Sequence, residues 1–443
     1  MGSLAGGRFI RGRRTFRNRS CRLRPGCRGS VGVSRGVRVG QGKMISRLLA
    51  AVPPEETNSL LMRLIREESH ADSPGQERST AQTMADELKK AGIPCEWDEV
   101  LPNRFNLIAR LPGCGNGPSL MLNGHLDTVP AYGMDMAFAP FIREGRMYGR
   151  GSVDMKGALA AMVSVLIAFS RTGIGLSGEL MLAATVGEET YSPGAYKLAS
   201  AKRPADYAIV GEPTELRIGI AHKGVAWYEA VFEGKSVHGS VPQSGVNAVY
   251  HAARWIERLR GEHLPELSRR RHPLLGSPTL NIGVIEGGTR PVIVPGLCKV
   301  LFERRLIPGE SADTALEELR DTLAKAGQGE EGWRARVTTM DNFHGVPHGP
   351  LDTPASSRIV LALREAAEQL GITSVEPAGL PFWTDGALIG AAGTETVVCG
   401  PGRIEEAHSD LEYVELEQLR QAFLLYSAAA CRICGVVGEG GGI

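Results

Sequence analysis

Three short apolar runs in this chain end directly in ionisable residues. Ser119–Asn123 leads into Gly124-His125, Gly178–Val186 into Gly187-Glu188-Glu189, and Asp206–Val210 into Gly211-Glu212. A short continuous apolar run bounded by glycine reads as a strand buried on both faces. In open α/β sheets, functional groups gather beyond the carboxyl ends of parallel strands. The pattern therefore predicts an α/β fold, and if the strands run parallel their ionisable ends meet along one sheet edge.

Two more residues fit this placement. Asp154 follows Gly149-Arg150-Gly151-Ser152-Val153, 27 residues after Asp127, and opens onto the apolar helical stretch Ala158–Ser170. His408 follows the strand-like Glu395–Cys399 and the turn Gly400-Pro401-Gly402, ahead of a final helix over Leu416–Cys431. Imidazole nitrogens and carboxylate oxygens are the donors that Zn²⁺ takes, and hydrolytic sites often pair two such ions. His125, Asp154, Glu212, His408 and one of Glu188/Glu189 make a candidate ligand set for two metal ions, with the two oxygens of Asp154 suited to bridging. The other glutamate is left to carry a proton, and Asp127 is placed to fix the His125 tautomer. Taken singly, each residue has a plainer role. Asp154 would cap a helix, Glu188-Glu189 would be a solvated pair, His408 a structural histidine and Asp127 a turn residue. Their joint placement favours the metal site.

At 443 residues the chain exceeds one compact core, so two domains or a large insertion are expected. From Lys223 the texture changes to strand, helix, two strands, helix and strand, ending near Met340. That order is the ferredoxin-like βαββαβ unit. It predicts an inserted α+β domain over 222–338 between two parts of a catalytic domain, 44–221 and 339–443. Residues 1–43 hold 12 Lys/Arg and no Asp/Glu. They bury too little apolar surface to offset ordering. They read as sequence upstream of a start at Met44, as a basic disordered arm, or as a transit peptide. The rest of the chain has a net charge of −11, which gives no support to a nucleic-acid partner. Ala158–Phe169 is too short for the roughly 20 residues of a membrane span, so no membrane partner is expected. The eight cysteines form no disulfide framework, which points to the reducing cytoplasm. Cys431 and Cys434 form a CxxC without a matching second pair.

The segments Gly124-His125-Leu126-Asp127-Thr128-Val129-Pro130, Gly149 to Gly157, Gly187-Glu188-Glu189, Gly211-Glu212-Pro213-Thr214 and Ala407-His408-Ser409 occur in this order. Together they resemble the co-catalytic zinc peptidase and deacylase family of acetylornithine deacetylase, succinyl-diaminopimelate desuccinylase, carboxypeptidase G and the aminoacylases, over about residues 45–435. The resemblance implies a zinc-exopeptidase-like catalytic domain, with a mixed, mostly parallel sheet between helices on both faces. It makes the inserted ferredoxin-like unit a lid that also forms a homodimer. It implies two divalent ions, Zn²⁺ first, with Co²⁺ or Mn²⁺ as alternatives. His125 and Glu212 would hold one ion, Glu189 and His408 the other, and Asp154 would bridge, followed by a cis peptide to Met155. Glu188 would act as general base and then acid, and Asp127 would orient His125. His238, in Val237-His238-Gly239-Ser240, would stabilise the oxyanion, often from the partner subunit. Arg305 matches the arginine that binds a substrate carboxylate, although Arg304 beside it is a competing candidate.

Two departures stand out. The family's Asn after the lid's Gly-Gly is absent from Val292-Ile293-Val294-Pro295, and its Asp-x-Arg is here Glu303-Arg304-Arg305. The implied activity is amide hydrolysis of an N-acyl amino acid or related substrate bearing a free carboxylate. The alternatives are a metallo-dipeptidase or carboxypeptidase on the same scaffold, and a non-catalytic binding protein.

Overall fold

The computed structural model describes residues 36–372 and 376–437. Residues 1–35 of the basic segment lie outside the described residues. Residues 36–43, expected to belong to a disordered arm, instead form the start of a helix, Gly36–Ala51.

The strands in chain order are β1 (Cys95–Leu101), β2 (Arg104–Leu111), β3 (Leu120–His125), β4 (Phe141–Arg143), β5 (Arg146–Tyr148), β6 (Leu180–Thr185), β7 (Tyr207–Pro213) and β8 (Ile218–His222). They continue as β9 (Gly224–Glu233), β10 (Thr279–Gly287), β11 (Leu297–Leu306), β12 (Arg334–Thr339), β13 (Leu351–Asp352), β14 (Pro377–Leu380), β15 (Glu395–Gly400) and β16 (Tyr413–Glu415). The large sheet has the order β1-β2-β6-β3-β7-β15-β8-β13, with β14 also on β8. Its centre is parallel: β6 with β3, β3 with β7, and β7 with β15. Residues of β3 and β6 are buried throughout, as the uninterrupted apolar runs predict. The register brings the carboxyl ends level, with His125 opposite Thr185 and Pro213 opposite Gly400.

The helix Lys156–Thr172 is buried on every side from Lys156 to Phe169 and stops at Gly173 in the left-handed conformation, φ 64°. It packs with Pro54–Arg66 and Leu416–Cys434, and the latter packs with Arg358–Leu370, in one apolar core on one face of the sheet. Two short helices, Pro193–Ala199 and Gly386–Ala391, pack with each other, and the second also lies against β15.

The second sheet has the order β10-β11-β9-β12, all antiparallel, which is the ferredoxin-like arrangement. Its own core gathers Tyr228, Phe232, Trp255, Phe302 and Leu319 beneath Ala248–Arg258 and Ala312–Ala326. Along β11, buried Cys298, Val300, Phe302 and Arg304 alternate with half-buried Lys299, Leu301, Glu303 and Arg305. His222 still pairs with Leu351 in the large sheet and Thr339 pairs with Tyr228 in the small one. The chain therefore changes sheets at Lys223. A third sheet, β16-β5-β4, holds the loop of Asp154 beside that of His408.

Candidate metal centre

The five proposed ligands come from separate elements and meet at one edge of the large sheet. His125 ends β3, Glu212 lies in β7, Glu189 follows β6, Asp154 precedes the buried helix, and His408 sits before β16. Asp154 presents one oxygen to each histidine: Oδ1 is 2.9 Å from His125 Nε2, and Oδ2 is 3.2 Å from His408 Nε2. Glu212 Oε1 lies 3.5 Å from His125 Nε2, and Glu189 Oε1 lies 3.1 Å from His408 Nε2. Ligand atoms of His125, Glu188 and Glu212, and of His125, Asp154 and Glu189, fall within 4.8 Å of one another.

Asp154 does not cap the following helix. Met155 occupies the cap position, no side chain bonds the first turn, and the Asp154–Met155 peptide is cis. Both carboxylate oxygens are instead turned to the imidazoles.

His125 Nδ1 lies 3.0 Å from the Asp127 backbone carbonyl and 3.5 Å from its carboxylate. A proton on Nδ1 donated to that carbonyl directs Nε2 at the carboxylates, where a bound cation would take the place of its proton. The Asp127 carboxylate also accepts N–H bonds from Gly187 (3.0 Å), Glu188 (3.1 Å) and Glu189 (3.0 Å). It thus pins the backbone that carries both glutamates. The Glu188 carboxylate takes no hydrogen bond from a described residue.

Negative charge exceeds positive here. Burial, then the neighbouring Glu212, pushes Glu188 well above the usual carboxylate range. Burial and then Asp154 do the same to Glu212. Burial and Asp154 also raise Glu189. Burial opposes ionisation of Asp154, but its bonds to His125 and His408 outweigh it and hold the carboxyl below its ordinary value. The Asp154 and Glu189 carboxylates raise His408 to about 10. Burial works against a charged His125, yet Glu212 and the two aspartates carry its pKa well above normal. Burial and mutual repulsion oppose ionisation of these carboxyls, and a divalent cation held among them would offset both.

The lid residues stand apart from this cluster. His238 is exposed and its ring Nδ1 lies 2.7 Å from Ser240 Oγ. Arg304 is fully buried, with Nη2 donating to Glu310 at 3.1 Å. Arg305 is partly exposed and forks onto Glu303 at 3.2–3.3 Å. Of the adjacent pair, Arg305 is therefore the one within reach of a solute. Cys431 and Cys434 are buried among apolar neighbours, and burial pushes both thiols up to about 12, which is no state for a metal ligand.

Two buried acids were not singled out from the sequence. Asp385, whose Oδ2 lies 2.9 Å from Thr185 Oγ1, is raised to about 6, chiefly by burial. Its signal in the sequence is Thr384-Asp385-Gly386, a short polar segment between two elements. Glu412 pairs with Arg150 at 2.6 Å and accepts the N–H groups of Val153 and Asp154. Its signal was proximity to His408.

A family model described as "Peptidase family M20/M25/M40" matches residues 121–432. An acetylornithine deacetylase of Myxococcus xanthus is 32% identical over 360 residues, covering 79% of this chain and 90% of that protein. An acetylornithine deacetylase of Buchnera aphidicola is 29% identical over 322 residues, covering 71% and 80%. Among solved structures, aminopeptidase PepT of Bacillus cereus superposes with a TM-score of 0.73 at 23% identity, covering 86% of this chain and 99% of that one. The YXEP protein of Bacillus subtilis, described as a dinuclear metal binding peptidase from the M20 family, gives a TM-score of 0.66 at 18% identity, covering 86% and 99%. With the site's five donors at one sheet edge and the match running from β3 into the last helix, the chain belongs to peptidase family M20/M25/M40 and is a metallohydrolase of amide bonds.

Proposed function

We propose that this chain removes the acyl group from an N-acyl amino acid, or a related amide, that carries a free carboxylate. The observation that carries the proposal is Asp154 facing one imidazole with each of its oxygens. His125 and Glu212 would hold one divalent ion and Glu189 and His408 the other, with Asp154 shared. Two imidazoles and three carboxylates are donors for Zn²⁺, and Co²⁺ or Mn²⁺ accept the same set. Bound ions would polarise the amide carbonyl and bring the pKa of the attacking water toward neutrality. Glu188, whose carboxylate takes no hydrogen bond from a described residue, takes the proton from that water and returns it to the leaving nitrogen. Asp127 aligns this step by holding the backbone of Gly187, Glu188 and Glu189. Arg305 binds the substrate carboxylate through its forked guanidinium, exchanging it for Glu303.

His238 acts from the lid of a second copy, donating to the developing oxyanion. Its ring contacts Ser240 rather than any residue of the cluster, which supports a homodimer assembled through the lid. The free thiols of the six described cysteines support the reducing cytoplasm.

Release of amine from N-acetylornithine, other N-acetyl amino acids, succinyl-diaminopimelate and simple dipeptides, with and without Zn²⁺ or Co²⁺, tests this reading. Metal-dependent cleavage of N-acyl amino acids above dipeptides is the expected result. Preference for dipeptides would favour a peptidase on the same scaffold, and no metal-dependent cleavage across the panel would overturn the proposal.

A further inference from the structure

Outside the ligand set, one buried ion pair touches three of the segments that carry it. Arg150 and Glu412 are both essentially inaccessible, and their side chains meet at 2.6 Å. Each remaining polar atom of the pair is directed to a particular backbone group. Arg150 Nε and Nη2 donate to the carbonyls of Pro130 and Ala131, each at 3.0 Å, in the segment that follows His125 and Asp127. Glu412 Oε1 accepts the N–H groups of Val153 at 3.0 Å and Asp154 at 3.2 Å. The Glu412 carbonyl accepts from Gly149 N at 3.1 Å. Glu412 itself stands four residues after His408, at the start of the β16 pairing with β5.

We propose that Arg150 and Glu412 are positioning residues for the second of the two ions, the one assigned to Glu189, His408 and Asp154. The proposal rests on the ligand assignment above. Its physical basis is a difference in how the two halves are held. His125 pairs with Thr185 in the ladder of β3 with β6, and Glu212 lies in buried β7 next to Pro213, which pairs with Gly400; these bonds hold whether or not the ion pair is present. His408 has no such support. It lies in a loop with a left-handed backbone, φ 58°, and its side chain is 47% exposed. The route from His408 to Asp154 runs through Glu412, whose one carboxylate oxygen bonds the Asp154 backbone. Untying the pair lets the His408 loop move away from Asp154, which still faces His125, while leaving His125 and Glu212 in place.

A pair this deeply buried is poorly explained by stability alone, because desolvation of both charges offsets much of their attraction. Removing one partner strands the other charge, so single variants unfold more readily than the double variant. Arg150→Met/Glu412→Gln removes both charges and keeps an acceptor oxygen for the Val153 and Asp154 N–H groups.

The test is titration of the metal-stripped full chain with Co²⁺, followed by calorimetry and by the visible absorption of the bound ion. Wild type is expected to take two ions, and failure there would sink the metal assignment rather than this proposal. The double variant is expected to bind the first ion as wild type does and the second roughly 10- to 100-fold more weakly, the usual effect of a group that holds a ligand in place. Glu412→Asp, which keeps the charge but draws it back, is expected to fall between the two and serves if the double variant does not fold. Unchanged binding of both ions, equal loss at both sites, or loss at the first site alone would overturn the proposal.

Discussion

Two imidazoles and four carboxyl groups share the edge of the sheet, and their electrostatics are those of a cation site. Burial and mutual repulsion raise Glu188, Glu189 and Glu212, while Asp154 stays ionised between two histidines. A different histidine shows what burial does without such partners. His222 is fully buried, its Nδ1 lies 3.1 Å from the Lys223 carbonyl, and its Nε2 lies 3.1 Å from Thr384 Oγ1. A neutral ring satisfies both contacts, donating from Nδ1 and accepting at Nε2. Burial accordingly lowers its pKa to about 4. Above its unfolded value of about 6.5, neither state binds the proton and this group adds no pH dependence. As pH falls from about 6.5 to about 4, the unfolded chain takes up a proton that the folded chain refuses, so stability is lost. Within that window the wild type is expected to lose stability more steeply than His222→Gln, by about 1.4 kcal/mol per pH unit. Urea-unfolding midpoints measured across the window check this, and parallel curves for the two proteins would contradict it.

Strand pairing carries the site's precision. β7 and β15 come together so closely at Gly400 that a Cβ there would fall onto the carbonyl oxygens of Gly211 and Glu212. Gly400→Ala is therefore expected to force β15 away from the strand that bears Glu212. The cost is expected to be at least the roughly 1–3 kcal/mol of an overpacked core, with weakened metal binding. Thermal unfolding and Co²⁺ titration measure both effects, and wild-type values in each would show that the strands tolerate the added methyl. The buried strands were legible because a sheet covered on both faces leaves continuous apolar runs, as in Leu180–Thr185. The three-residue strands β4, β5 and β16 were not, because so short a segment has no measurable period. β8 was also missed. It is five residues long, is interrupted by Gly219 and sits where the chain leaves one sheet for the other.

The molecule joins a doubly covered catalytic sheet to a small antiparallel unit with its own core. That division was visible in the order of elements, and the five ligand candidates in their positions after strands. The ties between the ligands were not. Glu412 reaches Asp154 across 258 residues of sequence, and Asp385 reaches Thr185 across 200. Contacts of that range have no local periodicity and exist only once the sheet has formed. Arg304 and Arg305 were likewise inseparable until strand alternation turned one into the lid core and left the other partly exposed. No described helix is long and apolar enough to cross a membrane.

The division of labour between the two adjacent glutamates, Glu189 as ligand and Glu188 as proton carrier, is tested most directly by Glu188→Gln. Metal content and hydrolysis of an N-acetyl amino acid should be measured on the same preparation. The variant is expected to keep two ions per chain and to lose kcat by roughly 10²- to 10⁴-fold, the usual contribution of a positioned acid–base group. Near-normal kcat, or loss of an ion together with activity, would contradict the assignment of Glu188 as the base.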